Sequence, residues 1–298
     1  MNYRVRHLTR YTYGERVLVS LNQICLQPRE TPFQQRLDFK VTVEPRPSTW
    51  NTYTDYFGNQ QSVFTLNQPH QVMTVSAESQ LAVQAQPATE PVASLPWELL
   101  RDRLPRPVDA ASLEAYQYVF ASPFVPVGPD YADYARPSFP AGRPVREGVL
   151  DFTRRMHRDF IYDSRATHLG TPVAEVLRNR RGVCQDFAQV QAACLRSLGL
   201  AARYVSGYLR TRPPPGRARL VGADASHAWI SVWTGPDGWF DLDPTNGVAA
   251  GTDHLPIAWG RDYFDVTPVR GVILGGGNQG ITVSVDVEPW EENEAEPT

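Results

Sequence analysis

Cysteine, lysine and methionine are scarce in this chain. Cys25, Cys184 and Cys194 are the three cysteines of 298 residues, an odd and unevenly spaced set that gives no disulfide framework. Lys40 is the sole lysine. An enzyme joining glutamine to lysine would find almost no acceptor on its own surface, although codon bias toward arginine explains the scarcity more simply. No apolar run approaches the roughly 20 residues that span a bilayer. The N-terminal MNYRVRHLTRY lacks the apolar centre of a signal peptide. A net charge of −3 with scattered basic residues excludes the basic footprint of a nucleic-acid binder. A cytoplasmic location is the expectation, with reduced thiols.

What is present is globular: 42% hydrophobic and 20% charged residues, enough chain for a sizeable core in one large or two ordinary domains. The most informative stretch is RRGVCQDFAQVQAACLRSLG, residues 180–199. After Cys184, apolar residues recur at helical spacing through Phe187, Val190, Leu195 and Leu198, and Gly199 suits the C-terminal end. Gly182 supplies a flexible turn just ahead. Cys184 therefore falls at a helix N-terminus, where unpaired N–H groups and the helix dipole favour negative charge. The thiolate, not the thiol, is the nucleophile. Asp186 fits as an acid of the first turn. Cys194, ten residues on, falls with the apolar positions and reads as a packed thiol.

A nucleophilic cysteine needs a base and a group to orient it. His227 opens an alternating, aromatic-rich run, HAWISVW, that reads as a strand. A turn over 234–238 and a return strand over 239–243 complete a hairpin. Asp241 and Asp243 share one face by the period of two, so strand geometry alone does not choose between them. Cys184, His227 and Asp243 match no close-paired metal spacing, and neither a metal nor another cofactor is expected. The Gly-rich GGGNQG at 275–280 precedes a β-rich run rather than a helix, which excludes a dinucleotide site and favours a hairpin loop.

Three motifs, GVCQDFA at 182–188, SHAW at 226–229 and DPTNG at 243–247, resemble the core motifs of the bacterial transglutaminase-like superfamily. HLTRYTY at 7–13, LQPR at 26–29 and DYFGN at 55–59 resemble the small β domain that precedes this core in many bacterial members. The resemblance implies Cys184 as nucleophile, His227 as base and Asp243 as orienting acid, and it selects Asp243 over Asp241. It implies acyl transfer through a thioester, from a peptide bond or a glutamine side chain, to water or to an amine. Water is slightly favoured. The backbone N–H of Cys184 is one oxyanion donor, with Gln185, Tyr162 and His168 as candidates for a second oxyanion or substrate contact. Gln189 stands where many relatives carry histidine, close enough to Cys184 to bear on the cleft. The partner is thus a peptide or protein amide substrate, with no nucleic acid and no membrane. The other reading is a vestigial fold serving as a protein- or peptide-binding module.

The expected fold is α+β. An N-terminal antiparallel β sandwich or barrel occupies residues 1–88. A transglutaminase-like (papain-like) core, with its cysteine helix packed on an antiparallel sheet, occupies 89–290, and a disordered tail follows at 291–298. Strands are expected at 3–8, 17–27, 35–44, 50–56, 61–66, 71–77 and 80–85, with no chemistry in them, His7 and His70 being structural. A Pro-rich linker is expected at 86–96, then helices at 97–100, 113–120 (capped by Ser112), 146–160 and 173–179. An irregular excursion is expected at 122–146. Beyond the central helix come a strand at 201–209, a loop at 212–216, a short strand at 218–221, the hairpin, a loop reaching His254, a segment at 261–268 that resembles the one closing the family's core, and a last strand at 281–287. His168 and His254 read as surface or structural.

Overall fold

The computed structural model describes residues 1–85, 94–211 and 225–290. The expected loop at 212–216, the strand at 218–221, the tail and most of the linker lie outside these residues. Strands β1 (Asn2–Ile24), β2 (Gln34–Glu44), β3 (Thr49–Thr54), β4 (Gln60–Leu66) and β5 (His70–Val83) come first. Helices α1 (Trp97–Arg103), α2 (Ala110–Tyr116), α3 (Pro129–Ala135) and α4 (Val145–Asp159) follow. Then come β6 (Ile161–Tyr162), α5 (Val173–Asn179), β7 (Arg181–Gly182) and α6 (Cys184–Ser197). The chain ends in β8 (Ala202–Leu209), β9 (Ala225–Trp233), β10 (Trp239–Asp243), β11 (Val248–Ala249), β12 (His254–Gly260), β13 (Val269–Gly275) and β14 (Gln279–Trp290).

The N-terminal sheet is antiparallel and curled into a half-barrel. Its spine is β1, a single strand of 23 residues where two were expected. Tyr3, Val5, His7 and Thr9 point inward while the residues between them face out, the alternation of a half-buried strand. Along one edge of β1 run β4 and then β5, end to end. Along the other run β13 and then β14. The Gly-rich segment is therefore not a hairpin loop. It is an interruption in one long antiparallel partner of β1, with Gly14 and Glu15 donating to the carbonyls of Asn278 and Gly276. Gly276 has φ +93°, and a Cβ there would lie 2.8 Å from Ile273, so a side chain is excluded by both backbone and space. The last strand, expected at 281–287 within the catalytic core, spans 279–290 and pairs along β1. Sequence periodicity marks a strand without naming its partner.

The second sheet is five-stranded in the order β11-β10-β9-β8-β12. Helix α6 packs on it, and every residue from Asp186 to Arg196 is buried. The helix is buried on all sides rather than along one stripe. Two of its polar residues find buried partners: Gln191 donates to Thr153, and Arg196 donates to the carbonyls of Ala202 and Phe120, while the side-chain oxygens of Gln189 and Gln191 are buried without one among the described residues. Such pairing is the usual condition for burying polar groups. Two expectations for the helical region change. The cap of α2 is Asp109, with Ser112 completing a capping box. The supposed irregular excursion contains α3, which Pro129 opens; its many prolines hid a helix start.

The two sheets share a core. Tyr3, Val5, Leu81, Val83, Val285 and Val287 pack with Tyr208, Leu255 and Ile257. The DYFGN turn clamps β12: Asn59 Nδ2 donates to the Trp259 carbonyl at 2.9 Å, and Trp259 N–H donates back to Asn59 Oδ1 at 3.0 Å. Arg29 of the LQPR motif lies 3.6 Å over the Trp259 ring. The N-terminal motifs thus carry interdomain packing. Among the described residues no helix is long and apolar enough to cross a membrane.

Candidate active site

Cys184 is the first residue of α6 and is partly exposed. Two local devices hold it. Asp186 accepts from Val183 N–H at 2.8 Å and from Thr167 Oγ1 at 2.6 Å, so its carboxylate consumes one N–H at the helix entry and ties down the 163–171 loop. Gly182 gives room rather than flexibility: it lies in β7, opposite Tyr162, and a Cβ there would come within 2.5 Å of Asp186 Oδ2.

His227, on β9, is 7% exposed. Its Nε2 meets Asp243 Oδ2 at 2.8 Å, and Cys184 lies close enough to the ring to act on its protonation. Burial disfavours charge on the ring, but Asp243 and Cys184 outweigh it and raise the His227 pKa to about 10. An imidazolium is thus favoured beside the Asp243 carboxylate.

Asp243 ends β10 and has no exposed surface. Burial opposes its charge, but hydrogen bonds from His227, His254 and Asn246 hold its pKa well below the usual carboxylate range. Oδ2 receives His227, His254 Nε2 at 3.0 Å and Asn246 Nδ2 at 2.6 Å. Oδ1 receives the N–H groups of Thr245 and Asn246. The DPTNG motif thereby becomes legible. Its Asp caps its own turn, its Asn adds a side-chain donor, and Gly247 takes φ +70° against the His157 side chain. Asp241 turns to a different task, accepting from Trp229 Nε1 at 3.1 Å. The fully buried Trp229 packs edge-on to His254 and tilted to His227. Gly207 makes room for that indole, since a Cβ there would lie 2.3 Å from it.

The remaining candidates separate. Tyr162 lies on β6, 58% exposed. Burial of its hydroxyl, then negative charge on Cys184 and Asp186, raises its pKa, which puts the phenol within electrostatic reach of the thiol. Gln185 is half-buried in the first turn of α6. His168 serves its own loop, Nδ1 accepting from Gly170 N–H. Gln189 is 2% exposed, inside the helix packing rather than on a cleft. Residue-by-residue reading missed His254 and Asn246. Asn246 lay inside a recognised motif, whereas His254 had no local signal and was expected in a loop. The atoms of His227, Asp243 and His254 lie within 4.8 Å of one another, but both imidazoles meet one carboxylate oxygen at hydrogen-bond length. Cys25 and Cys194 are free and buried. Burial pushes Cys25 up to about 12 and Cys194 higher still.

A cysteine at a helix start, facing a histidine that a buried aspartate holds, on an antiparallel sheet, defines the class of papain-like thiol folds. The chain belongs to the bacterial transglutaminase-like superfamily. Residues 3–82 match the bacterial transglutaminase-like N-terminal region, and residues 134–244 match the transglutaminase-like superfamily core. It is 40% identical to an uncharacterized protein of Mycobacterium tuberculosis, over 97% of this chain and 93% of that one. Over a shorter stretch, 31% of this chain and 14% of the other, it is 33% identical to a protein-glutamine gamma-glutamyltransferase of Pseudomonas aeruginosa. A crystal structure of a candidate cysteine protease from Cytophaga hutchinsonii has the same fold, with TM-score 0.77, 19% identity, and coverage of 98% and 92% of the two chains. Homologues in this superfamily are cysteine-dependent enzymes.

Proposed function

We propose that the protein is a thiol acyl-transfer enzyme that cleaves an amide through a thioester on Cys184, with water as its principal acceptor. The observation that carries this reading is Cys184 at the first residue of α6, sharing His227 with the buried Asp243. The Cys184 sulfur adds to the amide carbonyl carbon as the carbonyl π pair moves onto oxygen. The intermediate collapses, the C–N bond breaks, and His227 gives its proton to the leaving nitrogen. Water then adds to the thioester and returns a proton to His227, and the C–S bond breaks to release the acid. Asp243 holds the ring in one orientation and stabilises its charged form.

The Cys184 N–H at the start of α6 faces no helical acceptor and serves as one oxyanion donor. Tyr162 is our choice for the second, since its phenol lies within reach of the thiol's charge. Loss of one such donor costs roughly 10²–10³ in rate. Peptide or protein amides are the substrate class, and three free cysteines suit a reducing cytoplasmic setting. The test is turnover of a glutamine-containing peptide library in water, with and without a competing primary amine, read by mass spectrometry. Hydrolysed products that vanish in Cys184→Ala are expected. Products formed only with the amine would assign a transglutaminase, and turnover surviving Cys184→Ala would overturn the reading.

A further inference from the structure

We propose that His254 is a positioning residue of the Cys–His–Asp site, delivered to Asp243 by a strand that the N-terminal sheet holds in place. The inference deepens the reading above and rests on it for its chemistry. It starts from an unusual sharing: one oxygen of a fully buried carboxylate meets two imidazoles, at 2.8 Å from His227 and 3.0 Å from His254.

The roles of the two rings differ. His254 Nδ1 accepts the Gly251 N–H at 3.2 Å. That nitrogen therefore carries a lone pair, and the proton sits on Nε2, pointed at Asp243. A neutral His254 is thus a fixed donor, not a second cation competing with His227. It fills the space beside Oδ2 that a water would otherwise enter, and water there would screen the Asp243–His227 pair.

Its strand pairs with β8 in the core sheet and is also anchored from the N-terminal sheet. Asn59 holds the Trp259 backbone in both directions. Gln34 Nε2 donates to the Pro256 carbonyl at 2.7 Å. Tyr3 donates to Asp253 at 3.1 Å, one residue before the strand starts. These anchors come from the N-terminal sheet and its turns and add to the pairing of β12 with β8, so the N-terminal sheet helps to shape the site.

The groups around Asp243 are few. His227 comes from β9, His254 from β12, and Asn246 with two N–H groups from its own turn. Beyond them stand Cys184 of α6 across His227, Asp241 behind Trp229, and His157 of α4 on the Thr245 carbonyl. Of the titratable groups among the described residues, the two imidazoles are those that touch the carboxylate directly.

The experiment compares wild type, His254→Ala and His254→Gln in the full chain. Glutamine places an amide N–H near the position of Nε2. Two readouts are taken on protein whose fold is checked by circular dichroism: iodoacetamide alkylation of Cys184 against pH, and ¹⁵N-histidine NMR of the His227 ring. Loss of a hydrogen bond to a charged group is worth roughly tenfold or more. His254→Ala should therefore slow Cys184 alkylation at pH 6 about tenfold and weaken proton binding by His227 by a similar factor. His254→Gln should recover most of both. Unchanged His227 titration in a folded His254→Ala would overturn the proposal, as would equal losses in the Ala and Gln variants. Slow Cys184 alkylation in wild type with His227 still responding to His254 would instead sink the nucleophile reading and leave the positioning role standing.

Discussion

Asp243 is the residue on which the site depends most. Five donors converge on a carboxylate with no exposed surface. Charge-assisted hydrogen bonds of this kind are roughly twice as strong as neutral ones, and together they offset the cost of burying the charge. Asp243→Asn keeps the shape and removes the charge. It should lower turnover by roughly 10³–10⁴, the scale seen when a triad acid is neutralised, and lower the melting temperature as well, since an amide NH2 would face donors that the carboxylate accepts. Steady-state kinetics beside thermal denaturation checks this, and a loss under tenfold would contradict it. Asp241 shows why sequence left the choice open. It shares the face of Asp243 but is spent on Trp229, a difference of two residues that only the register decides.

At the scale of elements, α6 is the best-read part of the molecule and also the most instructive failure. Its limits, and Cys184 at its start, follow from the Gly-bounded apolar pattern. Its burial on every side does not, because Gln189, Gln191 and Arg196 are polar residues that periodicity gives no reason to bury. They are buried at 2%, 0% and 3% exposure, and the partners of Gln191 and Arg196 come from elements distant in sequence. The β9–β10 hairpin was legible for the opposite reason, since its turn and alternation are local. His254 was not, because its meaning lies in a carboxylate eleven residues away and in a strand paired with β8, distant in sequence. At the entry of α6, Gly182→Ala would drive a methyl against Asp186 and break the bond to Val183. We expect a loss of about 1–3 kcal/mol, as for other forced overpacking, together with slower alkylation of Cys184. Urea titration measures the first, and unchanged stability would refute the packing role given to Gly182.

For the whole molecule, the first and last described strands, β1 and β14, pair, and their sheet packs on the core sheet. His7 of β1 sits in that junction, its Nδ1 on the Tyr208 hydroxyl at 2.9 Å and its Nε2 on Thr9. Burial lowers its pKa to about 4, so the folded protein keeps the ring neutral while the unfolded chain protonates near 6.5. A depressed histidine contributes its stability above the unfolded pKa and loses it as pH falls toward the folded one. The junction should therefore weaken between pH 6.5 and 4, by an amount on the order of 2–3 kcal/mol. His7→Gln should flatten that slope in denaturation curves at pH 7 and 4.5. An equal slope in both proteins would place the acid sensitivity elsewhere.

The central claim is that Cys184 is an activated thiol and that His227 activates it. The most direct measurement is iodoacetamide alkylation of each cysteine against pH, resolved by peptide mass spectrometry, in wild type and His227→Ala. The account predicts that Cys184 alone reacts rapidly below pH 7, that Cys25 and Cys194 stay protected, and that His227→Ala removes the advantage of Cys184. A Cys184 that reacts no faster than an ordinary thiol of pKa about 8.5, or that reacts equally in both proteins, would contradict it.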